Sequence, residues 1–266
     1  MLTDLRPTTA PRSMRDRVSA EEWAVRVDLA AGYRLAAHYG WVDQVFTHIS
    51  ARVPGTEHYL LNPFGYMFDE ITASNLVKVD LDGKILDPDC PYHIHRAGFI
   101  IHSAVHAARP DAACVLHNHT RAGMALSILE EGLLPLTQHA MSFYGLVAYH
   151  ASEGFAVDLS ERERLAKDLG NKPVMILRNH GVLVVGKTIG QTFSMMYNLE
   201  KAMQAQMDAL ATGRPITIPS KEVAEGIAKR GFGREPQTGN YNEPNGWIEW
   251  PAALRLVERL DPSYRD

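Results

Sequence analysis

The 266-residue chain reads as an α/β protein on three observations. Short β-type apolar runs alternate with segments of helical period along its length, the pattern that builds a sheet with helices against it. Hydrophobic residues make up 45% and charged residues 22%, close to the globular average, which excludes a chain disordered throughout. The length suits one main domain that buries most of its unfolded apolar surface.

Residues 1–18, with Pro7, Pro11 and several Ser, Thr and Arg, read as a loosely ordered arm. Ser19 and Glu22 form a capping box ahead of Trp23, Val25, Leu29 and Leu35, so a helix is expected to about Tyr39, ending at Gly40. Phe46–Val53 and Tyr59–Asn62 are β-type runs broken by Pro54-Gly55 and Pro63-Phe64-Gly65, a sheet edge or hairpin. Thr72 is placed to cap a short helical turn. Leu76–Leu86 flank Asp82-Gly83, the pair favoured in type I′ hairpin turns. Residues 92–109 carry helical spacing and stop at Arg109-Pro110. Ala112–His119 is a mostly apolar run, read as a buried strand, and Thr120 opens a helix to about Leu129. After a loop around Pro135, Leu146–Tyr149 is a strand, and Ser160 with Glu163 caps a helix to Leu169. Val174–Leu177 and Val182–Val185 are strands flanking Arg178-Asn179-His180-Gly181, and Thr188–Leu210 is the longest helix. Beyond Gly213 the chain is rich in Pro and Gly, with short helical candidates around Val223 and Leu254. The expected organisation is an arm over 1–18, a domain over 19–212 and a tail over 213–266 that packs on the domain or on a neighbouring subunit.

Lys and Arg number 27 against 31 Asp and Glu, a net charge of −4 with no basic stripe, which excludes nucleic acid and anionic membrane surfaces as partners. No apolar run approaches a membrane span of about 20 residues, and Met1–Arg17 has arginines but no apolar core of a signal peptide. Two cysteines, Cys90 and Cys114, are too few for a disulfide framework and suit a reducing compartment. The expected location is the cytoplasm. The unusual feature is 12 histidines, because histidine is the commonest metal ligand.

His117 and His119 sit two apart in the predicted strand 112–119, so both imidazoles project from one face while Asn118 points the other way. His180 ends a second apolar strand and precedes Gly181, where backbone can approach closely. Three neutral imidazoles with an open position suit a catalytic divalent metal. A His-x-His pair alone leaves satisfied core histidines as an equal alternative.

Arg109-Pro110-Asp111, His117-Asn118-His119-Thr120 and Arg178-Asn179-His180-Gly181 together resemble the class II aldolase/adducin family. Asn62-Pro63-Phe64-Gly65, Ile71-Thr72-Ala73-Ser74, Ala97-Gly98-Phe99, His102-Ser103-Ala104 and Gly132-Leu133-Leu134-Pro135 extend the likeness over about residues 20–212. The resemblance implies an α/β/α fold, a mixed and largely antiparallel central sheet between helix layers. It implies one divalent ion held by His117, His119 and His180, and a homotetramer with the site near a subunit interface.

The chain departs from the sugar-phosphate aldolases of that family, in which a Ser-Ser-Glu segment supplies the acid/base. Arg96-Ala97-Gly98 stands there instead, and glycine moves no proton. Phe46-Thr47-His48-Ile49 also lacks the small residues of their phosphate nest, which disfavours a sugar phosphate. The glycine resembles the adducin-type branch. Adducin heads lack the metal ligands too, whereas this chain keeps all three histidines, which argues against a purely structural role. Decarboxylases of aromatic or keto acids belong to the same branch, and their chemistry needs only an electron sink and a late proton donor. Relatives from aminocoumarin pathways resemble mononuclear iron oxygenases, and a three-His site leaves room for a keto acid and dioxygen.

His93 and His95 precede Gly98 and are candidates for the missing proton transfer, with a solvated helix terminus as the alternative. His102 and His106, four apart, are read as framework rather than a chelating pair. His139 follows Thr137-Gln138 in a loop and is a candidate general acid reaching a neighbouring site. Arg121 is a candidate partner for a substrate carboxylate, or a surface ion pair. Tyr241, Trp247, Trp250 and Tyr264 are expected at a contact surface, and Met195-Met196 in the core.

The expected activity is therefore a metal-dependent lyase that cleaves a C–C bond, by decarboxylation or retro-aldol reaction, in a non-phosphorylated oxo or hydroxy carboxylate. Zinc is the first choice of ion, with manganese and iron as alternatives. The rival readings are a non-heme iron oxygenase acting on an aryl keto acid and a non-catalytic adducin-like binding module.

Overall fold

The computed structural model describes residues 13–154, 160–230 and 248–266. Seven strands form one sheet: β1 (His48–Arg52), β2 (Tyr59–Leu61), β3 (Val77–Val79), β4 (Cys114–Asn118), β5 (Val147–His150), β6 (Val174–Leu177) and β7 (Gly181–Gly186). Their order is β3-β2-β1-β4-β7-β6-β5. Every neighbouring pair is antiparallel except β5 and β6, which are parallel and joined through helix α5 (Glu161–Leu169), the crossover a parallel pair requires.

Alternation along the strands sorts the core into two layers. Cys114 and Leu116 of β4, with Val182 and Val184 of β7, face α1 (Ala20–His38), α3 (Arg121–Ile128) and α6 (Ile189–Ala211). Val115, Leu183 and Val185 face the other way, onto α2 (Arg96–Ala108) and α5. The expected helix–sheet–helix sandwich is thus present. Met195 and Met196 lie in the first layer, as core filler should. The short helix α4 (Gln138–Met141), capped by Thr137, occupies the expected loop after Pro135. Helices α7 (Lys221–Arg230) and α8 (Glu249–Leu260) follow α6.

Several local expectations change for identifiable reasons. Ser19 caps α1 through Glu22 N at 3.1 Å, but the Glu22 carboxylate turns to Arg26 at 3.0 Å and Lys78 at 2.7 Å instead of closing the box. Ser160 stands at the N-cap of α5 without a side-chain cap bond. Thr72 and Asn75 cap each other around a turn, not a helix. The Asp82-Gly83 turn is not type I′, since that needs positive φ at both residues and only Gly83 has it, at +84°. Asp80 Oδ1 shapes the loop, accepting from Asp82 N and Lys84 N at 2.9 Å each, and the second strand shrinks to one bridge, Val79 to Ile85. Helix α2 starts at Arg96, four residues later than its spacing predicts, because His95 is its N-cap.

Of the arm, residues 1–12 lie outside the described residues; Arg17 pairs with Asp87 at 2.6 Å. Tyr241 and Trp247 are outside them too. Trp250 and Tyr264 pack on their own chain, Trp250 against Phe193 at 5.6 Å and over Gly190, while the Tyr264 carbonyl accepts from Ala73 N. Both cysteines are free.

Candidate metal centre

The first residue of β1, the last residues of β4 and the first of β7 meet at one margin of the sheet. In register, His48 lies opposite His117, and Asn118 opposite Val182. His117 therefore points to the same face as His48, and His119, just past the strand, returns to that face. His180 sits on the turn between β6 and β7, its N–H donating to Leu177 O at 3.1 Å. Gly181 makes the approach possible: a Cβ there would lie 2.5 Å from Asn118 O and 2.9 Å from His119 Cδ2.

The three imidazoles converge through Nε2. His119 Nε2 is 2.9 Å from His117 Nε2 and 2.9 Å from His180 Nε2. Two of the rings have their outer nitrogens committed. His117 Nδ1 donates to Val182 O at 3.0 Å, and His119 Nδ1 donates to Asp43 Oδ2 at 2.9 Å. These bonds fix the tautomers and leave bare Nε2 lone pairs facing each other, an arrangement a cation relieves. Burial, then the neighbouring His119, His180 and His102, hold His117 well below the usual histidine range. Burial first, then His119, pulls His180 down to about 4. His117 and His180 are thus preset as neutral donors, and a divalent metal fits the site. Among the described residues no other group of three His, Cys, Asp or Glu side chains converges in this way.

Two residues that sequence reasoning did not single out complete the site. Asp43 comes from the loop before β1, and its neighbour Gln44 has φ +49°, while Asn179 beside His180 has φ +57°. These are the two non-glycine residues at positive φ among the described residues; Asn179 adjoins His180 and Gln44 adjoins Asp43, the partner of His119. His48 is the other. It is fully buried, with Nδ1 3.0 Å from Asn62 Oδ1 and Nε2 3.2 Å from His95 Nδ1. Burial, partly offset by the Asn62 bond, holds it down to about 4. A Cβ built on Gly98 would fall inside the His48 ring, so the space above Gly98 is already occupied.

The remaining candidates divide. His95 is half-buried, stacked between His48 at 5.2 Å and Phe64 at 4.8 Å, and caps α2 through Gly98 N. His93 is exposed. His102 and His106 are buried and both bind Ser50 Oγ, at 2.6 and 2.8 Å, as framework. Arg121 is exposed at the start of α3, and His139 is exposed on α4. No hydrogen bond or ring contact joins either to the triad.

The family model described as class II aldolase and adducin N-terminal domain matches residues 27–207, two-thirds of the chain. The chain belongs to the class II aldolase/adducin family. An aldolase II superfamily protein from Pseudomonas syringae is 51% identical, with a TM-score of 0.88 over 96% of this chain and 100% of that one. Rat alpha-adducin is 41% identical over 90% of this chain, which covers only 34% of the adducin. The L-fuculose 1-phosphate aldolase from Glaciozyma antarctica is 29% identical, with a TM-score of 0.79 over 98% and 97% of the two chains. The mixed sheet between helix layers is the fold of this family. No described helix is long and apolar enough to cross a membrane.

Proposed function

We propose that the chain is a divalent-metal-dependent lyase that cleaves a C–C bond in a non-phosphorylated oxo or hydroxy carboxylate, by decarboxylation or retro-aldol reaction. The observation that carries this is the triad itself, three converging Nε2 atoms with the outer nitrogens of His117 and His119 held by Val182 O and Asp43. His117, His119 and His180 would hold the ion, zinc first, with manganese or iron as alternatives. When bound, it supplies Lewis acidity that draws electron density from a carbonyl.

The chain's own residues supply the rest. His95, half-buried and linked to His48, exchanges the proton. Arg121 pairs with the substrate carboxylate, and His139 serves as general acid at a neighbouring subunit's site in a homotetramer. Neutral His48 and the aromatic Phe46 and Phe64 beside His95 make a poor phosphate nest. The free cysteines agree with a cytoplasmic protein. The similarity to an L-fuculose 1-phosphate aldolase supports lyase chemistry in general, not that substrate.

The likeness to alpha-adducin favours a second reading, a binding module without catalysis. Metal analysis of protein purified without added metal, with oxygen uptake measured on aryl-pyruvates, separates the cases. Stoichiometric zinc or manganese without oxygen use supports the lyase, and iron with uptake makes it an oxygenase. No metal, and no stability change in a His117→Ala, His119→Ala double variant, leaves the binding module.

A further inference from the structure

Three loops meet beside the triad and bring aromatic rings with them. Phe46 follows Asp43 on the loop before β1 and donates its N–H to Asp43 O at 3.0 Å, so the turn that sets Asp43 against His119 also places this phenyl ring. Phe64, on the turn after β2, donates its N–H to His93 O at 2.8 Å, which ties that turn to the stretch leading into α2. His95 lies against both rings, 4.8 Å from Phe64 with 29° between planes and 5.9 Å from Phe46 with 70°. His95 also stacks on His48 at 5.2 Å, and His48 is the cross-strand neighbour of His117. A single imidazole, that of His48, therefore stands between this aromatic cluster and the triad.

Phe46 and Phe64 are 44% and 41% exposed, whereas Phe68, Phe99, Phe143 and Phe193 are buried. Among the described residues they are the two phenylalanines left in water, and they stand together, ring centroids 6.4 Å apart and planes inclined at 53°. Phenyl groups exposed to that extent leave roughly 170 Å² of aromatic surface uncovered. That is only about a fifth of the roughly 800 Å² each partner gives to a stable protein interface, and it is close to what one bound aromatic ring covers. Aromatic groups pair offset or edge-to-face at centroid distances of about 4.5–7 Å, so a third ring can meet one of the inclined planes by its face and the other by its edge. Neither phenyl ring offers a strong hydrogen bond, so a phosphate or a short aliphatic group gains little there.

We infer that Phe46 and Phe64, together with His95, seat an aromatic ring of the substrate, so that the molecule cleaved is an aryl-bearing oxo or hydroxy carboxylate and not an aliphatic one. This seat rests on the proposed metal-dependent function and narrows its substrate class. The carboxylate end lies toward the triad and the ring lies toward the two phenylalanines, an order set by the Asp43–Phe46 turn and by His48.

Calorimetric titration of the full-length, zinc-loaded protein with phenylpyruvate and with pyruvate tests the seat by binding alone. Phenylpyruvate should bind about tenfold more tightly or better. Phe46→Ala and Phe64→Ala should each weaken phenylpyruvate about tenfold and leave pyruvate unchanged, whereas Phe64→Trp, which keeps an aromatic plane, should retain the wild-type preference. In the wild type, nuclear Overhauser effects should join the ligand's ring protons to those of Phe46 and Phe64, assigned through Phe46→Tyr and Phe64→Tyr; this measurement decides alone if an alanine variant does not fold. Equal affinity for the two acids, no binding of phenylpyruvate, or an equal loss of both acids in the alanine variants overturns the inference. A fall in oligomer mass in those variants with the preference intact overturns it too, and makes the patch a contact between subunits. Turnover of neither acid would remove the lyase reading and leave the seat standing, whereas equal binding would remove the seat and leave the lyase reading standing.

Discussion

Replacing Asp43 should weaken metal binding without touching a ligand. Its Oδ2 receives the His119 Nδ1 proton at 2.9 Å, which both orients the ring and raises the electron density at Nε2. Losing such an outer partner typically costs about 10- to 100-fold in metal affinity. The Asp43 side chain is 46% exposed against 14% for His119, so water replaces part of the lost bond. Asp43→Ala is therefore placed at the low end, about tenfold or roughly 1.4 kcal/mol. Asp43→Asn keeps an acceptor oxygen without the charge and should lose about threefold. Zinc affinity measured by competition with a fluorescent chelator resolves both steps, with His117→Ala as the variant that loses the site. If Asp43→Ala binds zinc as tightly as wild type while His117→Ala does not bind, the Asp43 bond plays no part in presenting His119.

Three further outcomes are expected. Gly181→Ala places a Cβ 2.5 Å from Asn118 O and should cost about 1–3 kcal/mol in urea unfolding and at least tenfold in zinc affinity; an unaltered affinity would show that the turn relaxes freely. Arg26→Ala leaves the buried Glu22 and the carbonyls of Ala73 and Leu76 short of a donor, and about 3–5 kcal/mol should be lost in the same assay, whereas a loss under 1 kcal/mol would mean that water replaces the guanidinium. His48 and His106 have pKa values lowered to about 4 and 3 from 6.5, so the unfolded chain binds protons first as pH falls. Stability should be flat above about pH 6.5 and fall below it, each histidine contributing up to about 1.4 kcal/mol per pH unit; a urea midpoint unchanged from pH 7.5 to 5 would contradict the buried neutral state.

The reading of the strands and longer helices from sequence depended on signals carried within ten to twenty residues. Period-2 spacing placed His117 and His119 on one face, and the glycine after His180 marked the close approach. Local signals misled where a distant group competed for the same atom. Glu22 left its capping box for Arg26 and Lys78, and Asp80 reshaped the hairpin turn assigned to Asp82-Gly83. Among the histidines outside the triad, His102 and His106 were legible as framework and His95 as a candidate, whereas His48 was missed. His48 lies far from His95, His102 and His106 in sequence, yet the four come together because β1 pairs with β4 and α2 packs over the sheet.

The sequence by itself determined the α/β class, the three histidines of the candidate site and the absence of a carboxylate at position 98, since each of these is written in a short motif or an alternating run. Tertiary structure alone decided what holds those imidazoles and what fills the space above Gly98. Asp43 reaches His119 across 76 positions of chain, and His48 meets Gly98 across 50. Such contacts depend on strand order and helix docking, which no local pattern encodes.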